Sequence, residues 1–107
     1  MSSWLYLLLA IIFEVAGTTA MKLSDGFSKL APSVAMGVFY IASLFALTLA
    51  LKRIDVSVAY AIWAGVGTSL IAIIGIVYFK EEISFLKIIS LAFIIFGVVG
   101  LHLSSKA

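Results

Sequence analysis

Cysteine is absent from the 107 residues, which excludes disulfides and thiolate metal sites. One histidine, His102, makes no metal centre, and its place near the end of the last apolar run predicts an interfacial side chain. Proline occurs once, at position 32, so long stretches carry no helix breaker. Charge is scarce: seven Lys and Arg and five Asp and Glu make up 11% of the chain, against about a quarter in soluble domains. No basic patch interleaves with aromatics, so nothing points to nucleic acid, and the net charge of +2 is ordinary for Lys and Arg beside lipid. What is plentiful is hydrocarbon. Hydrophobic residues are 64% of the sequence and the mean hydropathy is +1.29, more than a domain of this size can hide in a core.

Four apolar runs, at 4–21, 33–51, 57–79 and 84–103, are each long enough to cross a hydrocarbon layer of about 30 Å, which takes about 20 helical residues. They lack the period-2 alternation of barrel strands, and in lipid a helix satisfies its own backbone. The sequence therefore predicts a single all-α integral membrane domain over 1–107. The first run reads as a span rather than a cleaved signal peptide, since it has no basic residue before it and no clear small-x-small site. The connector at 22–32 holds Asp25 and Gly26 for a turn and Pro32 to open the next helix.

With alternating spans, Lys22, Lys29, Lys80 and Lys87 fall on one side, and Lys52, Arg53, Lys106 and the amino terminus on the other. The excess of cytoplasmic Lys and Arg that normally fixes orientation is missing. Either subtler cues set the topology, or the chain inserts both ways and pairs head to tail as an antiparallel homodimer. Four helices enclose little space, so a dimer of eight is the easier way to build a cavity.

Glu14 is the one charged residue well inside a span. It lies about 15 Å beyond Trp4 and about 12 Å before Lys22 at 1.5 Å per residue. A charge at that depth costs at least about 2.5–3.5 kcal/mol, so the side chain is expected to face protein or an aqueous cavity. One reading is a neutral acid hydrogen-bonded between helices. The other follows from the lack of a nearby Lys or Arg partner: neutralisation must come from a proton or a visiting cation, and binding one excludes the other. That competition is the minimum chemistry of a proton-coupled exchanger.

The i, i+3, i+4 rule groups Leu7, Ala10, Ile11, Gly17 and Thr18 on the Glu14 face as candidate lining residues. Thr18 bonds either the acid or a ligand, or its own backbone. Tyr60 and Trp63 form an aromatic face suited to organic cations, the alternative being lipid-facing or packing rings. Tyr40, Ser43 and Leu47 repeat the spacing on the second span, where orientation of a ligand and ordinary packing are equally open. Gly65 and Gly67 mark either a hinge or a close helix contact. Ser90 and Gly97, seven apart on the last span, form a small-residue seam for a dimer contact.

The runs Glu14-Val15-Ala16-Gly17-Thr18-Thr19-Ala20-Met21-Lys22, then Ser24-Asp25-Gly26-Phe27, and Ala59-Tyr60-Ala61-Ile62-Trp63-Ala64-Gly65-Val66-Gly67 resemble the small multidrug resistance family, along the whole chain. The resemblance implies four transmembrane helices per protomer in an antiparallel, dual-topology homodimer of the bacterial inner membrane, exporting cationic compounds in exchange for protons. It also implies that Glu14 binds proton and substrate in turn, that Trp63 and Tyr60 line the substrate site with Tyr40 and Ser43 nearby, and that helix four dimerises. Gly17-Thr18 is similar to the multidrug and quaternary-ammonium branch, since the guanidinium-exporting branch typically carries Trp three residues after its glutamate. Phe13 is more like that second branch, and Ser90 replaces a frequent glycine. Alternatives are a narrow guanidinium or polyamine exporter and a non-transporting membrane subunit. No second in-membrane acid or base, no cysteine and no metal cluster argue for an enzyme, and no cofactor is implied.

Overall fold

Buried in hydrocarbon, a backbone amide has only its own helix to bond to, and each apolar run forms one uninterrupted helix. The computed structural model describes residues 2–104, with α1 at Ser3–Leu23, α2 at Leu30–Ala50, α3 at Val56–Val77 and α4 at Phe85–Ser104. All four are long and apolar enough to cross a membrane. At 20–22 residues each they measure about 30–33 Å. Lys106, used above for the charge balance, lies outside the described residues.

The helix ends follow local chemistry. The Ser2 hydroxyl caps α1 by accepting from the Trp4 amide at 3.2 Å. Asp25, Gly26 and Phe27 all take positive φ in the first connector, where the Ser24 hydroxyl accepts from the Phe27 amide at 3.2 Å. α2 starts three residues before the expected 33, because Pro32 sits in its first turn, where a missing N–H costs nothing. α3 stops at Val77, short of the expected 79: the amides of Tyr78 and Phe79 both turn back to the Ile74 carbonyl, at 2.7 and 3.3 Å. Ser84 caps α4 rather than joining it, its hydroxyl accepting from the Lys87 amide at 3.1 Å.

α1 is central, packed against α2 and α3, and α4 lies outermost on α3. The core runs along the seam of the first three helices, with Leu7, Ile11 and Val15 against Ala50, Ile54, Val58, Ala59 and Ile62. In lipid no water is expelled by helix pairing, so close approach at small residues does the holding. Ala10, Ala50 and Ala59 are fully buried, and Gly65 lets Val98 of α4 sit on the α3 backbone. The chain is a slab, 43 × 35 × 17 Å, and no residue of α4 is buried within it. A cleft among its helices therefore opens onto a broad face.

Candidate functional site

Glu14 stands one residue past the midpoint of the 21-residue α1. Its carboxyl group enters a cavity of about 290 Å³ that Tyr40, Ser43 and Leu44 of α2 and Trp63 of α3 also line. α3 meets the carboxylate with bare backbone: a Cβ on Gly67 would stand 3.7 Å from Glu14 Oε2 and 3.8 Å from Oε1. Gly67 is thus the floor under the acid, whose two oxygens reach α3 without a side chain between them.

Two hydrogen bonds hold the α2 wall. The buried Ser43 hydroxyl donates to the Ala10 carbonyl at 2.7 Å, the same carbonyl that in an α-helix receives the Glu14 amide. With its proton spent there, Ser43 offers the cavity only lone pairs. The Tyr40 and Thr18 hydroxyls lie 2.6 Å apart, with either able to donate. Gly17 makes that contact possible, since a Cβ there would come within 2.9 Å of two Tyr40 ring carbons. Thr18 stands one turn beyond Glu14, beside its carboxyl group. The backbone bond open to either threonine is taken by Thr19, whose hydroxyl donates to the Val15 carbonyl at 2.8 Å.

Among the described residues, two buried side-chain polar atoms lack a hydrogen-bond partner, Glu14 Oε2 and Trp63 Nε1, and both residues line this one cavity. An unsatisfied buried group costs about 1–3 kcal/mol, more if charged. The residues that line the cavity thus bring a carboxyl group, an indole N–H and an aromatic ring together at mid-membrane. The cavity can take a proton on the carboxyl, or a cation whose charge faces the carboxylate while its apolar part contacts Trp63 and Leu44.

The structure gathers Glu14, Thr18, Tyr40, Ser43, Trp63 and Gly67 from the sequence-predicted set. Tyr60 packs edge-on to Trp63, ring centroids 5.4 Å apart, but is 59% exposed at the rim. Leu7, Ala10, Ile11 and Leu47 do not line the Glu14 cavity. Ala10 is sealed under α2, Leu47 packs on the core, and Leu7 and Ile11 belong to the α1–α3 seam. The reason is geometric: a strip of i, i+3, i+4 residues is wide enough that one margin packs while the other faces the cleft. Leu7 and Ile11 border a different cavity, of about 370 Å³, together with Trp4, Ile62, Val98 and His102. There His102 packs edge-on to Trp4 at 4.7 Å, joining the end of α4 to the start of α1. Ser90 and Gly97 are exposed on α4, and a Cβ on Gly97 would meet nothing within 4 Å. Gly65 and Gly67 lie in an unbroken helix, one facing α4 and the other Glu14.

Sequence reasoning missed Leu44, although it follows Tyr40 by one turn and shares its face. It also missed the use of Gly67 as the floor of the acid, which depends on which way α3 is rotated.

Residues 2–94 match the family described as Small Multidrug Resistance protein. The uncharacterized membrane protein YvaE of Bacillus subtilis is 57% identical, over 94% of this chain and 85% of its own. The multidrug resistance protein EbrB of the same organism is 46% identical, over 100% and 91%. The quaternary ammonium compound-resistance protein QacE of Escherichia coli is 41% identical, over 100% and 97%. With four apolar helices and bacterial relatives of this kind, the chain is a multi-pass protein of the bacterial inner membrane. Spanning helices, a lone mid-membrane acid and a match along most of the chain agree: it belongs to the Small Multidrug Resistance family of membrane transporters.

Proposed function

We propose that the protein is a proton-coupled antiporter exporting hydrophobic and quaternary-ammonium organic cations, with proton and cation taking turns on Glu14. The observation that carries this reading is the buried Glu14 Oε2 at mid-membrane, in a cavity shared with Trp63 and without a hydrogen-bond partner among the described residues. Cation arrival expels the proton; proton arrival on the other side expels the cation. Trp63 and Tyr60 supply the aromatic face, Tyr40 holds Thr18 beside the acid, and Leu44 adds apolar contact. Small Gly17 lets Tyr40 lie close to α1, which favours the multidrug branch over a guanidinium exporter.

The working unit is an antiparallel homodimer. A slab 17 Å thick leaves the Glu14 cavity open on one face for a second copy to close, and the Lys and Arg balance permits both orientations. The unburied α4, with Ser90 and Gly97, supplies the dimer contact. Gly65 and Gly67 form a hinge in α3: a bend between them shifts the α4 contact relative to the floor of the acid.

Glu14→Gln is expected to abolish pH-dependent tetraphenylphosphonium binding and proton-driven exchange in reconstituted vesicles; undiminished exchange would refute the proposal. Phe13 favours a second reading, a guanidinium exporter. A flux comparison decides, with tetraphenylphosphonium expected to outrun guanidinium.

A further inference from the structure

At the Lys22 end of α1 lies another cavity, of about 160 Å³, with Thr18, Thr19 and Lys22 on one wall, Gly75 on the other and Glu81 at its mouth. Glu81 is folded back toward α3 by three local features. Lys80 takes a positive φ of 60°, which turns the chain at the helix end. The Glu81 amide donates to the Gly75 carbonyl at 2.9 Å. The Glu81 carboxylate lies directly on the Gly75 backbone, in space that any Cβ at position 75 would occupy. An exposed connector acid would ordinarily extend into water; this one is held against the cavity.

Thr18 links this cavity to the first. It bonds Tyr40 and stands beside Glu14, and it also lines the Glu81 cavity. Thr19, its hydroxyl proton committed to Val15, turns only lone pairs toward the same space. The volume has room for several waters, and the polar lining gives them partners. The charged groups of the lining are Lys22 from α1 and Glu81 itself; Ile71, Ile74 and Gly75 of α3 bring none.

The geometry points to this cavity as the proton port of the Glu14 site, with Glu81 as the carboxylate that collects the proton Glu14 gives up and delivers it to water. The inference rests on the antiport reading above. The proton leaves a Glu14 oxygen, crosses water held at Thr18 and Thr19, reaches a Glu81 oxygen and is lost to the aqueous side. Loading runs the same steps backwards, and only O–H bonds form and break. In an antiparallel pair the two copies of the cavity face opposite sides of the membrane, one for each direction of exchange.

The test is the rate of proton release when tetraphenylphosphonium is mixed with purified protein in weak buffer, read with a pH indicator. Glu81→Gln should leave the equilibrium affinity and the number of protons released unchanged while slowing release by about a hundredfold or more, the scale of a lost proton-transfer group. Added imidazole should restore the rate by carrying the proton in its place. Gly75→Ala, which displaces the carboxylate and keeps it in the chain, should show the same slow, imidazole-rescued release. Wild-type rates in the Glu81→Gln protein, or a slow rate that imidazole leaves unchanged, would overturn the port. A wild-type protein that releases no proton at all would instead refute the antiport reading itself.

Discussion

Two cavities along α1 differ in a way that size alone would misjudge. The one near its start, between α1, α3 and α4, is the larger at about 370 Å³, yet its lining is almost wholly apolar. The one at its middle is about 290 Å³ and is lined by Glu14 and Trp63, which carry the two buried, unpartnered side-chain polar atoms among the described residues. Dispersion contacts are available in either, but only the second offers a charge to neutralise, and a cation leaving water needs that compensation. Chemistry, not volume, marks the candidate site.

The sharpest way to break that contrast is to fill the smaller cavity without touching its charge. Gly67→Val drives branched carbon into the space in front of Glu14, where a Cβ already reaches contact distance. Calorimetry should show a larger loss of tetraphenylphosphonium affinity than in any variant below, while overpacking lowers stability by about 1–3 kcal/mol and leaves the protein folded. Trp63→Ala comes next, with an expected loss of about 0.5–2 kcal/mol for aromatic and quaternary cations. The same variant should leave the pH dependence in place, because Glu14 remains. Tyr40→Phe removes the hydroxyl 2.6 Å from Thr18 and should weaken binding by about 0.5–1.5 kcal/mol. Smallest is Val99→Ala, in the lining of the larger cavity: binding should stay within about 0.5 kcal/mol of wild type. A Val99→Ala loss as large as that of Trp63→Ala would mean the apolar cavity holds substrate as well.

Much of this arrangement was legible before any coordinates. Four spans follow from hydrocarbon run length, and their ends shift by three residues or fewer where Pro32 or the Ser84 cap decides. Glu14 is legible as an acid without a nearby Lys or Arg, and helical spacing groups Tyr40 with Ser43 and Tyr60 with Trp63. Spacing gives a strip, however, and not its rotation against neighbours. That is why Leu7 and Ile11 turned out to serve the seam and Leu44 the cavity. The role of Gly67 depends on α3 meeting α1 there, a tertiary fact. Least legible was Glu81, whose fold-back relies on a lysine in the left-handed region, which carries no composition signal.

The account turns on one acid shared by two ligands, and proton release on cation binding tests it most directly. Adding tetraphenylphosphonium to purified wild-type protein should release protons, with affinity falling by up to about tenfold per pH unit as the pH is lowered into the titration range of Glu14. The Glu14→Gln protein should release none. Cation binding to wild type that frees no proton and keeps its affinity from acid to alkaline pH would contradict the account.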